Sequence, residues 1–563
     1  SSDLPYARPP TSLIWEGKEH KLQVCRHDLH PCQPIVAGVW ATSAAQPENK
    51  KQHETKTKTQ KYMKDIMTQL QQREQIRRRT AYRGVLLSTT FLHLFFSLTL
   101  NHTRAAHIEK SLPPNIVFIL VDDMGYGDPR PFNADSKIKM PNVERLAAEG
   151  MIFTDAHASG PLCHVSRYGL LTGCYPFRSS PIAWNKGPAI RQDQTTIASL
   201  LADAGYRTAM VGKWHLGFDE NGFENALLGG PVDRGFQSFF GIRASTDIPP
   251  YFYIRNNRAV QPPTETIPAN SSEGWSPIQG AFWRAGGIAP DLHLKDVLPR
   301  FTKEAVKVID DHGAGTRKKP LMLYLAYPAP HTPWLPSEQF AGKSKVGMYG
   351  DFVMMVDAMI GRVLAALDRN GLTDDTLVFF SSDNGPVWYE SDRERFGHSS
   401  VGELRGMKAD AWEGGHRMPF IARWPTTIEP GSSSDQTISF CDLLATFADL
   451  VGTELPKDAG PDSFSFLSLL MGEDKEIRPS LAVEAGKNHM SVRSGDWKLI
   501  TGKGSGGFSQ RGQPMRTAGL DGQLYNLAED IREQNNLYDK HPEIVQRLTK
   551  MLDKVRATGR TRE

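Results

Sequence analysis

Asp122-Asp123 and Asp383-Asn384 each close a run of apolar, β-branched and aromatic residues, so both pairs stand where a buried strand would end. Three carboxylates and one amide oxygen brought together make an all-oxygen ligand set for a hard divalent cation. Calcium suits that set better than magnesium, because it accepts more oxygens and looser geometry. Cys163 lies four positions before Arg167, where a loop runs into a helical pattern. Unpaired N–H groups and the positive end of the helix dipole favour a thiolate or another anion there. Taken with the two acidic strand ends, Cys163 is a candidate to complete the metal shell.

Cationic groups recur in three further motifs: Gly212-Lys213-Trp214-His215-Leu216-Gly217, His331-Thr332-Pro333-Trp334, and Gly406-Met407-Lys408 ahead of 412–419. A lone lysine is ordinarily a solvated charge, and Asp-Asn-Gly alone is ordinarily a turn. Two of the three motifs follow predicted strands, which gives them a common place. A group carrying three charged oxygens could be held by Arg167, Lys213 and Lys408, while His215 and His331 are of the type that transfers protons near neutrality.

Positioning these groups demands a particular framework. Successive strand side chains point to opposite faces, so Asp122 and Asp123 reach one site only if the chain leaves the strand there; Gly125 and Gly127 permit it. Strand character at 116–121, 208–211, 321–327 and 376–381 alternates with helical spacing at 143–149, 196–204 and 352–367. Asn142 is the expected cap of the first helix and Gly150 its stop. The alternation predicts an α/β fold, a large, mixed but mainly parallel sheet sandwiched by helices, with ligand groups at the carboxyl ends of its strands. Residues 227–285 are rich in Gly, Pro and polar types and are expected as loops over one end. Tyr251, Tyr253, Trp388 and Tyr389 are expected either at a cleft mouth, available to stack on sugar rings, or packed so that they pin these loops. Beyond residue 453 the texture changes. Antiparallel strands at 490–500 and 522–527 and an amphipathic helix at 542–555 predict a smaller C-terminal α+β subdomain, 456–563, after a catalytic domain at 106–455.

The net charge of +3 conceals an asymmetry. Residues 1–105 hold 16 Lys and Arg against 8 Asp and Glu, leaving the remainder at −5, which offers nothing to nucleic acid. Arg77, Arg78, Arg79 and Arg83 precede an apolar run at 85–100, with small residues around Ala105: a secretory signal within 67–105, cleaved after Ala105, preceded by a non-folding extension at 1–66. The run is too short and too polar for a membrane anchor, so a membrane would be involved only if the signal stayed uncleaved. Export places the protein outside the cell, in a periplasm or in a lysosome-like compartment. Without Cys25 and Cys32, the remaining Cys163, Cys174 and Cys441 do not form a disulfide framework.

Residues 161–173, Pro-Leu-Cys-His-Val-Ser-Arg-Tyr-Gly-Leu-Leu-Thr-Gly, resemble the type I sulfatase signature Cys-x-Pro-Ser-Arg-x-x-x-Leu-Thr-Gly, with Cys163, Ser166, Arg167, Leu171, Thr172 and Gly173 matching. Val165 stands where that family usually has proline. The other motifs match in order from Asn115 to about Leu537. The resemblance implies an alkaline-phosphatase-like fold and a formylglycine (3-oxoalanine) made from Cys163 by a formylglycine-generating enzyme. It implies calcium on Asp122, Asp123, Asp383, Asn384 and the modified Cys163, and sulfate contacts from Arg167, Lys213, His215, His331 and Lys408. Ser245 matches a weaker substrate-side position, and Trp334 replaces a histidine found in several relatives. The expected activity is hydrolysis of sulfate monoesters, with sulfated carbohydrate as substrate. Rivals are a phosphoester or phosphonate hydrolase of the same superfamily and an inactive sulfated-glycan-binding protein.

Overall fold

The computed structural model describes residues 112–179, 182–316, 318–486, 489–510 and 521–562. The expected extension, the signal, Cys25 and Cys32 lie outside the described residues. Ten strands make the main sheet: β1 (Asn115–Asp122), β2 (Met151–Phe153), β3 (Arg207–Lys213), β4 (Ser238–Ile242), β5 (Ile254–Arg255), β6 (Arg258–Ala259), β7 (Leu321–Pro330), β8 (Thr376–Ser382), β9 (Phe420–Arg423) and β10 (Ser432–Ser434), in the order β10-β2-β9-β8-β1-β7-β3-β4-β5-β6. The central five, β8-β1-β7-β3-β4, are all parallel, and antiparallel pairings begin only at β9 and β5. Every residue of β1 and β7 is buried, as expected of a parallel sheet covered on both faces.

Two helix groups provide the cover. α4 (Val297–Gly313) and α5 (Gly347–Arg369) pack together and onto β7, α1 (Pro141–Glu149) packs on α5 and onto β9 and β2, and α2 (Cys163–Thr172), α3 (Ile197–Asp203) and α6 (Leu443–Val451) pack as a second set. Phe118, Phe153, Phe379, Phe420 and Phe466 form an aromatic core of edge-to-face and tilted ring pairs at the sheet's centre. Full burial of each such side chain contributes about 1.5–3 kcal/mol. The expected Asn142 cap is not formed. The helix begins at Pro141, and the backbone N–H groups of Asn142 and Val143 donate to the Asp357 carboxylate at 2.9–3.2 Å, so a residue of α5 satisfies the start of α1. Residues 227–285 are not all loop either. They contain β4, whose Phe239-Phe240 core is short and bordered by Gly241, and whose strand identity depends on pairing with β3.

A separate antiparallel sheet follows, β11 (Leu481–Glu484), β12 (Met490–Ser494), β13 (Trp497–Thr501) and β14 (Gly522–Asn526), with α7 (Pro542–Ala557) laid on β12 and β13. Its core joins Val492, Leu499, Leu524, Leu548 and Leu552 to Tyr175 and Cys441. No helix among the described residues is long and apolar enough to cross a membrane.

Candidate active site

Parallel pairing of β1 with β8 sets Val121 opposite Ser382, and the Asp383 N–H donates to the Val121 carbonyl at 3.0 Å. The two acidic strand ends therefore emerge side by side. Asp123 has φ 63°, so the chain leaves the strand at this residue, as the sequence requires if both aspartates are to face one point. A left-handed non-glycine residue costs about 1–3 kcal/mol and persists where its surroundings hold it. Here the Asp123 N–H donates to Asp383 Oδ1 at 3.3 Å, and the next N–H, of Met124, donates to Ser382 Oγ at 2.9 Å. On the other flank, the β1–β7 register shifts between Leu120 and Asp122, so that Asp122 lies opposite Pro330 and His331 follows at once.

Cys163 is the first residue of α2, and its Sγ lies 3.5 Å from Asp122 Oδ1. One turn later Arg167, itself fully enclosed, spans three partners. Nε donates to Asp383 Oδ2 at 2.9 Å, one terminal nitrogen to the Lys213 carbonyl at 3.0 Å, and the other lies 2.8 Å from Asp383 Oδ2 and 3.3 Å from Asp122 Oδ2. Lys213 Nζ donates to Asp122 Oδ2, and Lys408 Nζ to both Asp123 oxygens at 2.6 and 2.7 Å. His331 Nε2 lies 3.6 Å from Asp123 Oδ2. Ligand atoms of Asp122, Asp123, Cys163 and His331 fall within 4.8 Å of one another. Asn384 donates its amide to Asp123 Oδ1 at 2.6 Å and leaves its own buried Oδ1 without a partner.

His215, at φ 60°, is buried with both ring nitrogens unpartnered, its ring edge-on to Trp184 at 4.6 Å and 5.7 Å from the His164 ring. Ser245 Oγ is likewise buried and unpartnered, on the loop whose Thr246 hydroxyl donates to the Thr332 carbonyl beside His331. Sequence reasoning missed His164, Trp184 and Asp247. His164 adjoins Cys163 and could have been flagged by position; nothing local marks Trp184.

Three buried carboxylates face three buried cations, so the charges balance as they stand. A dication and a sulfate dianion could enter together without net charge. Burial alone would raise Asp122, but Lys213, His331, Arg167 and Lys408 hold it well below the usual carboxylate range. Burial, and then the Asp122 charge, push Asp383 up to about 6. Burial and Asp122 raise the Cys163 thiol, which as cysteine would stay protonated. Burial and Lys213 depress His215 far below 6.5, and the same causes lower His164 to about 4. The all-oxygen donor set and the unpartnered Asn384 Oδ1 fit a hard divalent cation.

Of the aromatic residues expected at a cleft mouth, Tyr389 is half-buried and lines a surface cavity with Trp388, Glu390 and Arg405, while the other three are buried. Trp388 packs with Trp275, Tyr349 and Phe396 and donates its indole N–H to the His398 carbonyl; Tyr253 packs on Phe240 and Phe301; the Tyr251 hydroxyl donates to the Arg284 carbonyl. All three are buried and pin loops together. Trp334 is buried too, its indole N–H donating to the Pro330 carbonyl.

Residues 114–453 match the Sulfatase family model, and residues 408–558 match the C-terminal model of N-sulphoglucosamine sulphohydrolase. The chain belongs to the sulfatase family. It is a sulfuric ester hydrolase by that membership. Its relatives include an N-acetylgalactosamine-6-O-sulfatase of Bacteroides thetaiotaomicron, 33% identical over 80% of this chain and 94% of the relative, and human arylsulfatase A, 34% identical over 79% and 88%. A solved 6S-sulf protein of B. thetaiotaomicron glycosaminoglycan metabolism superposes with a TM-score of 0.69 at 32% identity, covering 79% of this chain and 99% of that one. The phosphonate monoester hydrolase of Agrobacterium radiobacter, at 16% identity and a TM-score of 0.54, shares the fold alone.

Proposed function

We propose that this enzyme releases sulfate from sulfated carbohydrate by way of a formylglycine made from Cys163, with a calcium ion held by Asp122, Asp123, Asp383 and Asn384. The observation that carries the reading is the meeting of Cys163 with Asp122 and Asp123 within 4.8 Å, while Asp383 accepts from the Asp123 N–H and Asn384 donates to Asp123 Oδ1 and leaves its own buried Oδ1 without a partner. Magnesium, with its stricter octahedral demand, suits the crowded carboxylates less well. The formylglycine supplies a hydrated aldehyde as nucleophile toward sulfur, and the cation offsets charge.

The chain's own residues do the rest. Lys213 and Lys408 hold the sulfate oxygens. Arg167, whose donors are engaged by Asp122, Asp383 and the Lys213 carbonyl, acts mainly by fixing those three groups. His331 protonates the leaving alcohol, its ring set by an Nδ1 hydrogen bond of 2.8 Å to the Thr332 carbonyl. His215, neutral because burial disfavours its charge, takes the proton whose loss re-forms the aldehyde. Ser245 lies on the substrate side. Fixed cations in a site closed to water provide most of the rate enhancement.

The relatives' names favour a 6-sulfated N-acetylgalactosamine among carbohydrates. A formylglycine-generating enzyme would act before folding, and the residues at 106–455 and 456–563 would serve as catalytic domain and subdomain of an exported protein. Mass spectrometry of the peptide containing position 163, with turnover of N-acetylgalactosamine 6-sulfate, an aryl sulfate and an aryl phosphate, tests the reading. An aldehyde with sulfate release supports it. Preferred phosphate release indicates the phosphoester rival, and an unmodified thiol with glycan binding and no turnover indicates the inactive binder.

A further inference from the structure

We propose that Asp247 is a specificity residue that reads a hydroxyl group of the sugar bearing the sulfate ester. The inference rests on the carbohydrate reading above. Asp247 lies on the loop that follows β4 and is 4% exposed. Its Oδ2 accepts from Arg284 Nη1 at 2.5 Å, and the Asp247 carbonyl accepts from the same nitrogen at 3.1 Å and from the Arg284 backbone N–H at 3.3 Å. Arg284 is in turn held by the Tyr251 hydroxyl on its carbonyl at 2.7 Å. The carboxylate is therefore fixed in orientation, yet its other oxygen, Oδ1, is buried with no hydrogen-bond partner.

Oδ1 lies 3.9 Å from His331 Nδ1. That distance is too long for a hydrogen bond, and Nδ1 already donates to the Thr332 carbonyl. Orienting the imidazole is thus done by Thr332, and Asp247 is free for something else. Nε2 of the same ring lies toward Asp123, so Asp247 flanks the proton donor on the side away from the carboxylates. We place the substituent of the leaving oxygen around the edge of this ring, where it meets Oδ1. An ionised carboxylate accepts and cannot donate, so the missing partner must bring an N–H or O–H of its own. A ring hydroxyl near the sulfate-bearing carbon meets that demand. Ser245 Oγ, two residues earlier and also buried without a partner, presents a second unfilled polar atom on the same loop. A buried acceptor left empty is costly, so a site of this kind rejects a ligand that lacks the matching hydroxyl.

The experiment compares kcat/KM for N-acetylgalactosamine 6-sulfate with its 3-deoxy and 4-deoxy analogues, and for 4-nitrophenyl sulfate, in the wild type, Asp247→Ala and Asp247→Asn. The wild type is expected to turn over one deoxy analogue roughly 10- to 100-fold less efficiently than the parent sugar, the range set by a hydrogen bond to a charged group. Asp247→Ala should shrink that discrimination below about threefold by the same reckoning. Asp247→Asn, which keeps the shape and an acceptor oxygen, should keep an intermediate value and serves if the alanine variant does not fold. Equal turnover of parent and deoxy sugars by the wild type, or undiminished discrimination in both variants, overturns the role of Asp247 alone. Release of sulfate from the aryl ester and from none of the sugars overturns the carbohydrate reading as well.

Discussion

Arg167→Lys keeps the charge and removes the fork. The guanidinium contacts Asp383 through two nitrogens, at 2.8 and 2.9 Å, and reaches Asp122 at 3.3 Å and the Lys213 carbonyl at 3.0 Å. A single ammonium on a narrower stem can retain one carboxylate contact, leaving the Lys213 carbonyl and one carboxylate oxygen without donors in a closed site. Each stripped acceptor costs about 1–3 kcal/mol, and water entering the vacated space brings the pair toward the lower end, so the variant should lose about 2–3 kcal/mol of stability. Thermal unfolding would then start a few degrees lower, with the protein folded at 25 °C. Activity should suffer more. Arg167 fixes the backbone of Lys213, whose ammonium sits on Asp122, and a displacement of about 1 Å in such a group costs about 100-fold. Turnover of an aryl sulfate, measured beside circular dichroism, should fall by about that factor in folded protein. Turnover within about threefold of wild type, with an unchanged unfolding temperature, would show that the fork is dispensable.

Asp383→Ala should abolish turnover and bound metal together while the fold is retained; a folded variant with wild-type metal content by elemental analysis would refute the ligand assignment. Val165 is the third residue of α2, within the first turn, where N–H groups have no acceptor in the helix and proline is tolerated. Val165→Pro should therefore fold, and by favouring an extended unfolded segment it should raise the aldehyde-to-thiol ratio at position 163 along with specific activity in a heterologous host; an unchanged ratio would remove Val165 as the limit. Burial, and then Lys498, hold His416 well below its ordinary 6.5, so the unfolded chain takes up a proton near pH 6.5 that the folded chain refuses, and this contribution to stability is lost as pH falls below about 6.5. His416→Gln should flatten the fall of the unfolding temperature between pH 7.5 and 5.5 relative to wild type; parallel curves would exclude the histidine as its source.

The site was more legible than its surroundings, for a physical reason. Asp122, Asp123, Asp383, His331 and Lys213 follow strands whose continuous apolar runs announce themselves, and parallel pairing then brings their carboxyl ends together. Asp123 even declares its departure from the strand through the glycines behind it. What failed to show were features decided by distant partners. Asn142 has the chemistry of a cap, but Asp357, more than 200 residues away, occupies that role. The aromatics Tyr251, Tyr253 and Trp388 sit in polar, glycine-rich stretches that read as exposed, and only the loops folded over them make them core. The unpartnered oxygen of Asp247 has no sequence signal at all, since an empty hydrogen-bond position exists only once every neighbour has been placed.

The C-terminal sheet gives none of the candidate site residues, yet it bears on the site's geometry. His157, Glu413 and His416 bring ligand atoms within 4.8 Å of one another, as a metal site would. Lys498 of β13 already stands there. Its ammonium donates to Glu413 Oε1 at 2.8 Å, pairs with Glu533 at 2.9 Å and lies 3.4 Å from His416 Nε2, so a fixed cation takes the place a metal would need. Glu533 in turn accepts from the Glu413 backbone N–H at 2.7 Å, and the Ala411 N–H donates to the Ser505 carbonyl at 2.8 Å. These bonds seize the segment immediately after Lys408 from the side of the C-terminal sheet. Removing one partner of such a buried pair costs about 3–5 kcal/mol, because the other charge stays behind in the interior. The position of the Lys408 ammonium on Asp123 therefore depends on Lys498 and Glu533, which touch neither substrate nor metal ligand, and the small sheet is part of what keeps three buried cations opposite three buried carboxylates.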